Sequence, residues 1–206
     1  MAGRREQEAA ERKRQILEGA LQVFSSKGFI QATNKDIAAA AGIQSPGLIY
    51  HYFKDKADLL RAVIEAYAPP MQLVAHPEEM MALPPEAALT RFGLAYLRLT
   101  DSPNIAAFMK LIMGEALRDS NFARMFGEIG PLRVWRLLAE YLHNQMELKT
   151  LRRMEPAVAA RCFIGPLIIR LLMRNVFQLE DSSELPAEQL VEMHVDMFLR
   201  GLQPPL

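Results

Sequence analysis

Nowhere along its 206 residues does this chain alternate apolar and polar residues far enough to build a strand. Its apolar residues recur at helical spacing instead, between breaks made by proline and glycine. Ile16, Ala20, Val23 and Phe24 share one face of a first helix, which is expected to end at Lys27-Gly28, where glycine supplies a left-handed cap. Thr33 opens a second helix: its hydroxyl caps the chain, Asp36 three residues on closes a capping-box arrangement, and the helix runs to Ala41 before Gly42. Ser45 as N-cap and Pro46 in the first turn predict the start of a third. A fourth begins at Asp55 and continues to about Ala66. Pro69-Pro70 then breaks the chain, and a Met- and Pro-containing stretch leads to Pro85. Helices are expected again over 86–100, 103–118, 121–149, 155–178 and 186–200, with breaks at Ser102-Pro103, Glu155-Pro156 and Asp181-Ser182-Ser183. Gly127, Gly130 and Pro131 interrupt the third of these, which allows it to be two helices. The chain is read as all-α, with an N-terminal part over 1–66 and a larger helical part over 67–206.

Half of the residues are apolar and 23% are charged, which indicates a folded chain of one large domain or two small ones. The formal net charge is zero. Residues 1–60 nevertheless hold nine Lys and Arg against seven Asp and Glu, while the remainder holds fifteen against seventeen. That is a faint basic bias at the N-terminal end. The single cysteine, Cys162, excludes an internal disulfide and fits a reducing cytoplasm. The opening residues MAGRREQEAAERKR lack the apolar core of a signal peptide. The most apolar segment, Cys162 to Met173, is short for a bilayer and is interrupted by Arg170, so it is read as a buried helix and no membrane is expected.

Catalysis finds little support. Glu140 and His143 form an E-x-x-H pair on one helix face, but a di-iron carboxylate bundle needs two such pairs and two further Glu. There is no phosphate-binding glycine loop, no G-x-S-x-G and no Cys/His spacing for zinc. No enzyme activity, metal or cofactor is expected.

The informative stretch is AAAAGIQSPGLIYHYFKDKADLL, residues 38–60. Two short helices joined by a tight glycine-containing turn are the arrangement that sets a second helix in the major groove of DNA. Gln44 to Gly47 carry short side chains that permit close approach to base edges. Tyr50, His51 and Tyr52 offer ring-borne donors for phosphate oxygens, and Lys56 adds an ammonium at the next helix start. Taken alone, the three rings serve equally well as a packing cluster.

Residues 14–61 resemble the N-terminal DNA-binding domain of the TetR family of bacterial transcriptional regulators. The resemblance is carried by ILEGALQVFSSKGFIQATNKDIAAAAG and then LIYHYFKDKADLL, about a quarter of the chain. It implies a three-helix helix-turn-helix DNA-binding head and a larger helical body that dimerises through its last two long helices and often holds a small-molecule pocket. On this resemblance Thr33, Tyr50 and Lys56 contact phosphate, with His51 and Tyr52 as further candidates. Ser45, Pro46 and Gly47 lie against bases, and Phe53 is core. From the Ala-Gly turn to Phe53 the chain is one residue longer than the family's commonest spacing, so Gln44 either extends the turn or begins the helix.

In the body, Phe108, Met109, Met113, Phe126 and Trp135 concentrate flexible thioethers and rings, read either as ordinary core or as an adaptable effector pocket. Phe163, Leu167 and Leu171 recur at helical spacing and are the candidate dimer contacts. The resulting expectation is a cytoplasmic homodimeric repressor that binds double-stranded operator DNA at a palindrome and is released by a small apolar effector. A regulator without an effector, and a helical carrier or interaction protein with a vestigial helix-turn-helix, are the competing readings.

Overall fold

The computed structural model describes residues 2–100, 103–179 and 185–204, leaving aside the side chains of 2–5, 100 and 103–106. The breaks expected at Ser102 and at Asp181-Ser182-Ser183 lie outside these residues. Every regular element among the described residues is a helix, with no strand among them. The helices pack into two compact units. One comprises the chain up to Ala68 together with Pro103–Ile129, and the other the segments that begin at Pro69 and at Gly130. This partition differs from a single cut at 66, because two helices expected in the larger part group with the N-terminal ones.

In the first unit α1 (Ala2–Lys27) is the long element, and its stripe of Ile16, Ala20, Val23 and Phe24 is buried. α2 (Asn34–Ala40), α4 (Lys56–Tyr67) and α8 (Pro103–Arg118) all pack against it. Gly19 permits the close crossing of α1 and α2: a Cβ there would stand 2.7 Å from the Ala41 backbone nitrogen. α9 (Ser120–Ile129) contributes Phe122, whose ring lies 5.3 Å from that of Phe29, itself 5.5 Å from Phe24. Burial of side chains of this size stabilises by about 1.5–3 kcal/mol each.

Local capping sets the element boundaries. Thr33 caps α2 through the full capping box with Asp36. Asp55 caps α4, its carboxylate accepting the Asp58 N–H at 2.8 Å. Ser45 is in extended conformation but makes no side-chain cap hydrogen bond. Pro46 accordingly starts a 3-10 turn, Pro46–Leu48, and α3 proper covers only Ile49–Tyr52. Gln44 therefore extends the turn that follows left-handed Gly42 (φ +66°).

The second unit contains α5 (Pro69–Ala75), α6 (Pro77–Met81), α7 (Pro85–Leu97), α10 (Pro131–Glu147), α11 (Pro156–Asn175) and α12 (Ala187–Gly201). α5 and α6 fill a stretch read from sequence as a break. Pro69 and Pro77 instead open helices, because proline at the first helical position has no N–H to leave unpaired and its φ is already helical. The expected helix over 121–149 is two, divided at Gly130. α10 packs on α11 and α5, and α7 on α12. Tyr141, fully enclosed on α10, donates its hydroxyl to the Leu83 carbonyl at 2.8 Å, and burial pushes its pKa up to about 12.

α11 corrects the expectation of a short apolar segment. At 20 residues it is long and apolar enough to cross a membrane by length and composition alone. One face is nonetheless buried inside the unit, through Ala159, Ala160, Phe163, Ile164, Leu167 and Leu171. Its outer face carries Cys162, Ile168, Ile169 and Met173, all exposed.

Candidate nucleic-acid interface

The segment 44–52 presents a polar outer surface on an apolar anchor. Ile49 and Phe53 are 2% and 3% exposed and fix the short helix to the unit core, whereas Tyr50 is 63% exposed. Gln44, Ser45, Pro46, Gly47 and His51 are exposed too, and Tyr52 is partly so. A short helix held by two residues thus leaves small side chains at its start and donor-bearing rings at its end open to a ligand. Sequence reasoning overlooked Lys13 beside it: its Nζ lies 5.9 Å from the centre of the Phe53 ring, bringing a cation to the end of α3. The run Arg12-Lys13-Arg14 was the available signal.

The two other residues assigned to phosphate have partners within the protein. The Thr33 hydroxyl donates to Asp36 Oδ2 at 2.7 Å and accepts the Asp36 N–H at 3.1 Å, so its one proton is committed to the cap. Lys56 donates from Nζ to the carbonyls of Ile30 and Ala32, each at 3.1 Å, above the Phe29 ring at 4.7 Å. Burial lowers the Lys56 pKa, while the Glu115 carboxylate acts in the opposite sense. Both side chains are thereby tied to neighbouring groups of the first unit.

The residues expected at an effector are divided between the units. Phe108 on α8 is buried, and Met109 and Met113 on α8 and Phe126 on α9 are half-buried, all in the first. Trp135, in the second, is half-buried under the Arg161 guanidinium, 5.7 Å from the ring centre, and its indole N–H is buried without a partner. The second unit also contains a cleft of about 750 Å³ between α5 and α7, with Pro69, Leu73, Thr90, Arg91, Leu94 and Arg98 in its wall. None of the five expected residues lines it.

Phe163, Leu167 and Leu171 need correction as dimer contacts. They are 0%, 5% and 2% exposed within one chain, and Phe163 packs on His194 and Phe198 of α12 at 4.7 and 5.1 Å. They offer a second copy no surface. Exposed apolar residues on the same two helices include Ile168, Ile169 (53% exposed) and Met173 on α11 and Met193 and Met197 (69%) on α12. On the E-x-x-H pair, Glu140 and His143 are both exposed, and no group of three potential metal ligands occurs among the described residues.

Two family models match this chain. The one described as "Bacterial regulatory proteins, tetR family" covers residues 16–63, and "AefR-like transcriptional repressor, C-terminal domain" covers 87–202. The chain belongs to the TetR family of helix-turn-helix transcriptional regulators. Among curated relatives, the HTH-type transcriptional regulator SrpR of Pseudomonas putida is 30% identical over 120 residues, which is 58% of this chain and about half of SrpR (54%). Of solved structures, the Flavonoid-responsive Regulator FrrA is 29% identical with a TM-score of 0.63, over 96% of this chain and all of that one (100%). The transcriptional regulator FadR of Bacillus subtilis, solved in complex with stearoyl-CoA, shares the fold with a TM-score of 0.69 at 20% identity, over 91% of this chain and 98% of that one.

The capping box of α2 depends on the ionised Asp36 carboxylate. Asp36 accepts from Lys27 Nζ at 2.5 Å and from the Thr33 hydroxyl and N–H, and these hydrogen bonds, Lys27's foremost, hold its pKa down at about 2. Because the folded value lies below the ordinary 3.8, the stabilisation is complete above that pH and disappears as pH falls through about 2. The Asp36 carboxyl should therefore titrate near pH 2 by carbon-13 NMR. In Lys27→Met the midpoint should rise toward the ordinary value, with α2 amides losing exchange protection at a higher pH than in the parent.

Proposed function

We propose that this chain is a homodimeric repressor, cytoplasmic in location, whose residues 1–66 form the DNA-reading head and whose residues 67–206 carry the dimer and effector surfaces. The observation that carries the reading is the outward polar surface of 44–52 on its Ile49–Phe53 anchor. In it Ser45, Pro46 and Gly47 approach base edges, with Gln44 at the end of the turn. Tyr50 and His51 donate to phosphates, flanked by exposed Lys54 and by Lys13 and Tyr52. One such short helix reads few bases, so a palindrome and two heads about 34–36 Å apart are needed for specificity. The description of the matching C-terminal family as a repressor domain supports the sign of regulation.

The outer faces of α11 and α12 are the dimer surface in this reading. Their exposed Ile169, Met173, Met193 and Met197 would leave water on pairing with the same faces of a second copy. A small apolar effector is assigned to the cleft between α5 and α7, whose wall combines Leu73 and Leu94 with the exposed Arg91 and Arg98. FrrA, which is named flavonoid-responsive, supports an effector of aromatic character. Such a ligand releases DNA only through a preference for the conformation that binds DNA poorly.

Selection from random duplexes, followed by anisotropy titrations, tests the head. Tyr50→Phe should weaken selected and scrambled duplexes alike, by roughly three- to tenfold, the scale of one phosphate hydrogen bond. Ser45→Val should instead change which duplexes are selected. A Tyr50→Phe protein with parental affinity for both counts against the phosphate role.

The dimer surface is tested by sedimentation: Ile169→Asp should run as a monomer and lose operator affinity, while Cys162→Ser should do neither. An Ile169→Asp protein that stays dimeric removes α11 from the interface.

For the effector, flavonoid-like and other apolar compounds are screened for release of the selected duplex. Leu94→Trp, which sets a bulky ring in the cleft, should weaken effector-driven release while leaving DNA affinity within about twofold. Met113→Trp should leave release intact, and the opposite pattern moves the effector to α8.

A further inference from the structure

The five residues from Gly28 to Ala32 join α1 to the capping box of α2, and side chains grip their backbone from two sides. Gly28 has φ +82°, which favours glycine, and a Cβ there would stand 2.5 Å from Glu115 Oε1. The same Oε1 accepts the Ile30 N–H at 2.9 Å, from a position 85 residues further along the chain. On the carbonyl side Lys56 Nζ takes the oxygens of Ile30 and Ala32. Phe29, between these groups, is pinned by Phe24 and Phe122.

Glu115 is therefore more than a surface carboxylate on α8. Its second oxygen, Oε2, is buried without a hydrogen-bond partner. Leaving such an atom unpaired is costly, and a better-solvated residue would avoid the cost. The attraction of the Lys56 ammonium offsets part of it. What the arrangement secures is the path of the loop. With Ile30 N–H held by the carboxylate and two loop carbonyls held by the ammonium, the chain enters Thr33 along one course, and the start of α2 is set with it.

We propose that Glu115 is a positioning residue for DNA recognition: through its hydrogen bond to Ile30 it fixes the loop 28–32 and thereby the seating of α2 behind the reading surface. This rests on the DNA-binding reading above. α8 then belongs functionally to the head, although 35 residues separate its start from the end of α4.

Glu115→Asp and Glu115→Gln in the full-length chain separate reach from charge. Aspartate keeps the charge but is one methylene too short to reach Ile30. Glutamine loses the charge but its amide oxygen still accepts the N–H. Two readouts are taken: hydrogen exchange at Ile30, at α2 and at α10, and affinity for the selected duplex relative to a scrambled one. Glu115→Asp should lose protection at Ile30 and α2 with α10 unchanged, and its selected-over-scrambled ratio should fall roughly tenfold, the scale of one charge-assisted hydrogen bond. Glu115→Gln should stay within about threefold of the parent on the same scale. A Glu115→Asp protein with parental exchange and ratio overturns the proposal. So does a Glu115→Gln protein worse than Glu115→Asp, and so does loss of protection spread equally to α10, which marks general destabilisation. A parent chain that selects no duplex overturns the DNA-binding reading and this inference together, whereas a binding parent with unaffected variants overturns this inference alone.

Discussion

The aromatic column Phe24–Phe29–Phe122 is the contact on which the first compact unit depends. It joins α1, the loop that follows it and α9, three pieces of chain that no local rule of helix formation brings together. Aromatic pairs of this geometry contribute about 0.5–1.5 kcal/mol beyond the area they bury. With Phe24 fully enclosed, α1 is held along one side, and α2 and α4 can lie against its remaining apolar stripe. The outward aim of Tyr50 and His51 is a downstream result: Ile49 and Phe53 can anchor α3 only because the surface beneath them is already in place.

What could be read in the sequence follows the range of the interactions concerned. Thr33 with Asp36, Asp55 with Asp58, and Phe53 as an anchor are contacts within a few residues, or carry a family pattern, and each was legible. Ser45 was misleading. Its N-cap chemistry is correct, but a proline directly after it opened a 3-10 turn, and the side chain makes no cap. Lys56 appeared as a free cation at a helix start because its two acceptors lie more than twenty residues upstream. The grouping of α8 and α9 with the N-terminal helices was invisible for the same reason, since it rests on pairings across eighty or more residues such as Ile30–Glu115.

α11 shows a different obstacle. Periodicity identifies a buried face only where the opposite face is polar, and α11 is apolar on both. Phe163, Leu167 and Leu171 form one regular row, while Ile169 and Met173 begin another. The choice of the first row as the outward one had no physical basis in the sequence alone. Packing on α12, through the rings of His194 and Phe198, decides it.

With zero net charge over the whole chain, the positive field is confined to the faint basic bias of residues 1–60. The outward groups near α3 are mostly hydroxyls, rings and backbone, with few cations, and these act over hydrogen-bond distances only. In the proposed dimer such a surface would gain little from loose association with arbitrary duplexes and more from the fit of both heads at once.

Cys162 is the only thiol in the chain, and it is exposed on α11. A maleimide dye or nitroxide added to the unaltered protein has one place to attach. Because the thiol shares the outward face of α11 with Ile169 and Met173, its rate of reaction with such a reagent is fast while that face is open and slow once a second copy covers it. The natural sequence thus carries one built-in reporter for the outward face of α11.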